Sequence, residues 1–276
     1  MPGSFIHNGR FHQENDPVIS ADNRSFRYGD GLFETIRLHN NALPLWHFHE
    51  QRLFSGMQAL GFDIPKLFTA DYLLQQIQAL VKKNGLAYAR IRITVYRGEG
   101  GLTDKTHQTP GFIIQSWPVP AESLSLNING LRIGIYEDAR KSADKFSSIK
   151  SNNFLPYVQG ALYAREKKWN DALVLNSYGR IADSTIANIY WVKEGKIFTP
   201  PLSEGPINGV MRRHLLENAL IFEQPLAPDE LLQAEEVFLT NAFRGIQWVS
   251  FVGEKPMLSN ASSVHLFREY ISPLFS

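Results

Sequence analysis

The sequence predicts an α+β protein of two domains. Strand and helix patterns follow one another irregularly, without the strict βαβ rhythm of a doubly wound sheet. At 276 residues the chain is long enough for two cores. The periodic pattern breaks at Pro118-Val119-Pro120-Ala121-Glu122-Ser123, where proline stiffens a linker. The boundaries that follow are 1–117 for an N-terminal domain, 118–125 for the linker and 126–276 for a C-terminal domain.

In the first half, Ser4-Phe5-Ile6-His7 reads as a strand closed by a turn at Asn8-Gly9. Gly29 and Gly31 lead into a second strand ending near Arg37. Trp46 to Leu60 reads as a helix. Thr69 is placed to cap another, whose Leu73, Leu74, Ile77, Leu80 and Val81 share one face. Lys82 and Lys83 suit the negative end of its dipole, and Gly85 can end it. Ala89, Ile91, Ile93 and Val95 then alternate with Arg90, Arg92, Thr94 and Tyr96, the clearest strand signal in the chain. Gly111 to Trp117 is a further strand.

In the second half, Leu131 to Tyr136 reads as a strand and Leu155 to Trp169 as a helix. Hairpins are expected at Tyr178-Gly179 and Glu194-Gly195. Gly209 to Phe222 reads as a helix, Val237 to Thr240 as a strand and Ser262 to Ile271 as a closing helix. There is no internal repeat.

Composition narrows the function. Net charge is +1, from 28 basic and 27 acidic residues, so no excess of either sign points to nucleic acid or an anionic membrane. Without cysteine, disulfides, thiol nucleophiles and Cys-bound metals are excluded. The start lacks a basic n-region and a long apolar h-region, and no apolar run approaches a bilayer's thickness. A cytoplasmic protein is the expectation.

Among candidate chemical groups, Lys150 leads, in the run Ser147-Ser148-Ile149-Lys150-Ser151-Asn152-Asn153-Phe154. A lysine amine forms a Schiff base where its surroundings lower its pKa. An acidic residue such as Asp183, in Gly179-Arg180-Ile181-Ala182-Asp183-Ser184, can keep a pyridine nitrogen protonated. The two together suggest pyridoxal phosphate chemistry, although a lysine at a helix start is more often a solvated surface group. Gly209, opening the helix that begins Val210-Met211-Arg212, offers free backbone N–H groups to a phosphate, although most such helix starts bind nothing. Arg52 could clamp a phosphate or simply face solvent. Arg92 needs an anionic partner only if its face of the strand is enclosed. Arg97-Gly98-Glu99-Gly100-Gly101 is either a loop that closes over a ligand or a hairpin tip. His47 and His49 lack further ligands at metal spacing. No P-loop, G-x-G-x-x-G or G-x-S-x-G is present.

Taken in order, these runs resemble the class IV aminotransferases, the fold-type IV pyridoxal phosphate enzymes. The matching pieces are Tyr28 to Arg37, His49-x-x-Arg52-Leu53, Lys150-x-x-Asn153, Gly179 leading to Asn188-Ile189, Gly209 to Arg212, and Val237 to Ala242. The resemblance spans about residues 5 to 255. It implies a D-amino-acid-aminotransferase-like fold with pyridoxal 5'-phosphate in the cleft between two domains, a homodimer, and a small amino substrate handled through an external aldimine.

Residue by residue, the resemblance makes Lys150 the Schiff-base lysine and the proton carrier. Arg52 is the phosphate arginine, and Val210, Met211 and Asn241 join it as cofactor contacts. Asp183 stands where the family has a glutamate against the ring nitrogen, one methylene shorter. Phe154 stands where a tyrosine is common in branched-chain enzymes. Phe33, Thr35, Arg92 and Arg97 fall among the substrate contacts. The R-G-x-G-G of residues 97–101 and Thr240-Asn241-Ala242 resemble 4-amino-4-deoxychorismate lyase, which releases 4-aminobenzoate and pyruvate. Leu102, where the lyase loop carries an arginine, departs from it. The lyase is the leading expectation, and a branched-chain-type aminotransferase is the alternative. A non-catalytic binding protein on the same scaffold is the third reading. The D-amino-acid enzymes fit least, because their Arg-x-His carboxylate trap is missing.

Overall fold

A computed structural model describes residues 3–104, 108–121 and 124–275. The chain divides into two compact units, one of Met1–Ser123 with Ile149–Asn153, the other of Leu124–Ser148 with Phe154–Ser276.

The first unit is built on a five-stranded sheet of β1 (Ser4–His7), β2 (Arg10–Gln13), β3 (Gly31–Leu38), β4 (Ala89–Tyr96) and β5 (Gly111–Pro118). The order is β2-β1-β5-β4-β3 and every pairing is antiparallel. The short helix α1 (Arg24–Tyr28) precedes β3. Helices α2 (Trp46–Ala59) and α3 (Ala70–Lys83) bring Leu53, Met57, Leu73, Ile77 and Leu80 into one core with Ile36, Ile91, Ile93 and Val95. The alternation in β4 therefore turns its aliphatic set inward, as the pleat requires. Thr69 caps α3 by accepting from the Tyr72 amide at 3.1 Å. Asp71 and Lys82-Lys83 sit at the dipole ends that favour them.

Lys150 belongs to this unit rather than to the C-terminal domain expected to carry it, and it does not open a helix. Its segment adds to β3 instead. The Phe33 amide donates to the Lys150 carbonyl at 2.9 Å, the Asn152 amide donates to the Gly31 carbonyl at 2.8 Å, and Leu32 bridges Ser151. Only glycine fits at position 31, where a Cβ would lie 2.5 Å from the Val95 carbonyl oxygen and 2.6 Å from Asn152 Nδ2.

The second unit contains β6 (Leu131–Lys141), α4 (Leu155–Glu166), β7 (Asp171–Asn176), β8 (Ile181–Ser184), β9 (Asn188–Lys193), β10 (Lys196–Thr199), α5 (Val210–Asn218), β11 (Ile221–Glu223), α6 (Pro228–Leu231), β12 (Glu236–Asn241), β13 (Gly245–Val252), β14 (Lys255–Pro256) and α7 (Ala261–Leu266). The sheet order is β11-β10-β9-β12-β13-β6-β7-β8, with β14 on β13. Ile133, Leu173, Ile189, Trp191, Val237, Leu239 and Val249 form its core. Both expected hairpins are present, as β7–β8 and β9–β10.

Several elements differ from the sequence reading, among them the closing helix, whose α-helical part ends at Leu266. β6 runs on past Tyr136 to Lys141 because a bulge between Tyr136 and Arg140 re-registers it on β7. The helix expected over 209–222 stops at Asn218, where the Asn218 side chain bonds the His214 carbonyl at 2.8 Å, and Ile221 to Glu223 join β10 as a parallel edge strand. The helix expected to reach Trp169 ends at Glu166, and Lys168 turns the chain with φ 58°.

Candidate active site

In the first unit a carboxylate on β3 meets two side chains of α2. Glu34 is 1 % exposed. Arg52 donates to it twice, from Nε to Oε1 at 2.7 Å and from Nη2 to Oε2 at 2.6 Å. His49, three residues before Arg52 and so on the same helix face, sets Nδ1 2.6 Å from Oε2. Burial alone would raise the Glu34 pKa, but Arg52 and His49 outweigh it and hold the carboxyl down to about 2. Burial lowers His49 in spite of Glu34, so the imidazole is neutral at pH 7 and Nδ1 is the donor. His49 is thus a core partner of Glu34 rather than half of a metal pair.

The opposite face of the same sheet gathers Phe33, Thr35, Arg92 and Lys150. Thr35 and Arg92 are directly paired, as are Phe33 and Thr94. The Arg92 guanidinium carbon lies 3.8 Å from the centre of the Phe33 ring and its Nε bonds Thr94 Oγ1 at 3.2 Å. Lys150 Nζ lies 4.4 Å from the same ring centre. Burial and the neighbouring Arg90 both lower the Arg92 pKa. Among the described residues no carboxylate pairs with Arg92 or with Arg90, which stacks on Trp117.

Arg97 does not join this group. It donates from Nη1 to Asp30 Oδ1 at 2.6 Å and from Nη2 to the Leu60 carbonyl at 2.5 Å, and Arg24 takes the other oxygen of Asp30 at 3.1 Å. These bonds tie the guanidinium to the loop, while its Nε is buried without a partner among the described residues.

In the second unit Asp183 is 1 % exposed, in β8. All its observed partners converge on Oδ2: the Tyr157 hydroxyl at 2.9 Å, the Ile207 amide at 2.9 Å and Lys141 Nζ at 3.4 Å. Lys141 Nζ also donates to the Tyr157 hydroxyl. Oδ1 is buried and has no partner among the described residues. Burial pushes Asp183 up, against the pull of Lys141, Ile207 and Tyr157, and pushes the Lys141 ammonium down.

Close in sequence to Ile207, α5 begins with no side chain over its first amides. Asn188 Nδ2 donates to the Ile207 carbonyl at 2.8 Å, and its Oδ1 lies 1.9 Å from where a Cβ on residue 209 would stand. Gly209 is therefore required, and the amides of Val210 and Met211 follow it at the positive end of the helix dipole. Asn241 spends its side chain on a turn, accepting from the Phe243 and Arg244 amides at 3.0 and 2.7 Å and donating to the Ile186 carbonyl at 3.3 Å.

A sequence model of the amino-transferase class IV family matches residues 31–251. The chain belongs to the class IV aminotransferases. It is 30% identical over 256 residues to an aminodeoxychorismate lyase of Bacillus subtilis (strain 168), covering 85% of this chain and 82% of that protein. It is 28% identical over 246 residues to a D-alanine aminotransferase of Bacillus licheniformis, covering 86% and 83%. The crystal structure of a branched-chain aminotransferase of Thermoproteus uzoniensis shares its fold with a TM-score of 0.90, at 22% identity, over 100% of this chain and 95% of the other.

Class IV aminotransferases are pyridoxal phosphate enzymes, and so is this chain. Its residues fit that group in kind: Asp183 Oδ1 is a buried acceptor without a partner among the described residues, and the start of α5 has amides with no side-chain cap. Lys141 and Tyr157 are the residues around Asp183 that the sequence did not announce. Lys141 hides in the polar run after Tyr136, where the bulge erases the strand period. Tyr157 reads as one more aromatic in a helix. Among the described residues no helix is long and apolar enough to cross a membrane.

Proposed function

We propose that this class IV enzyme is a 4-amino-4-deoxychorismate lyase, acting as a homodimer. The observation that carries the reading is Arg92. It is partly enclosed on one face of β4 without a carboxylate partner among the described residues, and it lies against Phe33, which also touches Lys150, while Arg90 on the same face is exposed. A partly enclosed guanidinium with no counter-charge is stabilised by an anionic ligand. The lyase substrate carries two carboxylates, and a neutral amino acid one. The B. subtilis lyase among the relatives supports the same reading.

Bound pyridoxal phosphate supplies a carbonyl to join the substrate amine and a ring that takes up the electron pair left by the departing proton. Lys150 is the group that holds the cofactor and, once displaced, takes the proton from the carbon bearing the amine. Asp183 Oδ1 would accept the ring N–H, and the Val210 and Met211 amides would hold the phosphate, with Arg52, itself set in place by Glu34, as the charged group beside it. Arg92 orients one substrate carboxylate, with Phe33 and Thr35 beside it. Breaking the bond to the enolpyruvyl oxygen sends its electron pair onto that oxygen. Proton return to the enol carbon then gives pyruvate, while the ring becomes 4-aminobenzoate. Atoms and electrons balance without a second substrate.

The test is to give the cofactor-loaded protein aminodeoxychorismate without any keto acid and to follow both products. Multiple turnovers to 4-aminobenzoate and pyruvate are expected. A protein that holds the cofactor and turns over only when a keto acid is present is an aminotransferase instead.

A further inference from the structure

The two oxygens of Asp183 are used unequally. Oδ2 takes the Tyr157 hydroxyl, the Ile207 amide and Lys141 Nζ, at 2.9, 2.9 and 3.4 Å. Oδ1, equally buried, takes nothing among the described residues. Three donors on one oxygen fix the rotation of the carboxylate, so the lone pairs of the other oxygen point one way. The partners also come from separate elements, the end of β6, the first turn of α4 and the loop before α5, which no local feature would bring together.

A buried carboxylate facing a pyridine nitrogen has two arrangements with the same atoms and the same single proton. The proton sits on nitrogen beside a carboxylate anion, or on oxygen beside a neutral ring. Burial favours the second, since it separates no charge. It is also the direction in which burial moves Asp183. A cation on the far oxygen favours the first, because it stands nearer the negative charge than the positive one. Lys141 is that cation. Asp144 is the other charged group that acts on it, and Tyr157 completes the ring of contacts.

Resting on the placement of Asp183 against the ring, we propose that Lys141 and Tyr157 are positioning residues that hold Asp183 through Oδ2, so that Oδ1 faces the cofactor nitrogen and the proton stays on that nitrogen. Asp183 alone, in so dry a site, would keep the proton for itself. Lys141 makes a short, buried aspartate act as an anion.

The experiment is ¹⁵N NMR of the full-length protein loaded with pyridoxal phosphate labelled at the ring nitrogen. The wild type is expected at the protonated-pyridinium position. Lys141→Met should move the signal to the unprotonated-pyridine position, Lys141→Arg should keep it in place, and Tyr157→Phe should shift it part of the way. If Lys141→Met does not fold, Tyr157→Phe alone decides. A pyridinium signal unchanged in Tyr157→Phe and in every folded Lys141 variant, yet lost in Asp183→Asn, overturns the proposal while leaving Asp183 in its place. A signal unchanged in Asp183→Asn overturns the placement of Asp183 itself, and the proposal with it.

Discussion

Arg52 grips Glu34 with two hydrogen bonds, of 2.7 and 2.6 Å, on the core side of the first sheet. The pair is buried, so its value lies in what each charge would cost alone. Removing Arg52 leaves an uncompensated buried carboxylate, and Arg52→Met is expected to destabilise the protein by about 3–5 kcal/mol. The double variant Arg52→Met/Glu34→Leu should recover much of that loss. Urea unfolding at pH 7 measures both, and an Arg52→Met midpoint equal to wild type would show that the pair contributes nothing.

The same carboxylate sets an acid limit. Glu34 is held at about 2 in the folded protein against an ordinary value of 4.5. A depressed carboxyl contributes stability that is complete above the unfolded value and is lost as pH falls through the folded one. The contribution is about 3 kcal/mol. It should be present at pH 6 and drain away between about 4.5 and 2. Unfolding free energies measured across that window should fall less steeply in Glu34→Gln than in wild type.

In the proposed mechanism Lys150 is the residue that holds the cofactor covalently. Borohydride is expected to fix the cofactor covalently to the wild-type protein and not to Lys150→Ala, read by the mass of the intact chain. Because the Lys150 backbone, not its side chain, bonds the Phe33 amide, the variant should fold normally. Covalent labelling that survives the substitution would place the reactive lysine elsewhere, and buried Lys141 would be the first to examine.

How much of this was readable in the sequence depended on how local the cause was. The alternation of β4 was plain because one face is buried and the other is not. Thr69 announced α3 by a cap bond within three residues. Nothing near Arg97 announces its counter-charge, because Asp30 is 67 positions away. Lys141 was invisible for a different reason. A bulge shifts the register of β6, so a residue in an apparently polar tail becomes a strand residue that reaches Asp183. Lys150 and Asp183 stand out in the sequence by their chemistry and by the family resemblance, yet the asymmetry of Asp183's contacts belongs to the folded protein alone.

Arg92 is the residue expected to separate substrates. Its guanidinium has a ring beneath it and a threonine on Nε, but no carboxylate among the described residues. A charge-assisted hydrogen bond to a substrate carboxylate is worth about 1.5–3 kcal/mol. Arg92→Met should therefore raise KM for aminodeoxychorismate by roughly ten- to a hundred-fold, with a smaller effect on kcat. Thermal unfolding should barely change, since no ion pair is broken. An unchanged KM in steady-state assays would remove Arg92 from the substrate site.

Gly209 tests the phosphate end. A Cβ there would stand 1.9 Å from Asn188 Oδ1, well inside contact distance. Asn188 cannot simply yield, because its Nδ2 holds the Ile207 carbonyl at 2.8 Å, and the Ile207 amide in turn holds Asp183. Gly209→Ala should push the start of α5 away from its present place and loosen the loop that reaches Asp183. Cofactor affinity, measured by equilibrium dialysis, is expected to fall by about ten-fold or more, since misplacing the helix amides forfeits at least one charged hydrogen bond. Asn188→Ala alone should weaken binding by loosening the loop. The double variant should bind better than Gly209→Ala, because the colliding atom is gone. If Gly209→Ala binds the cofactor like wild type, the start of α5 does not hold the phosphate.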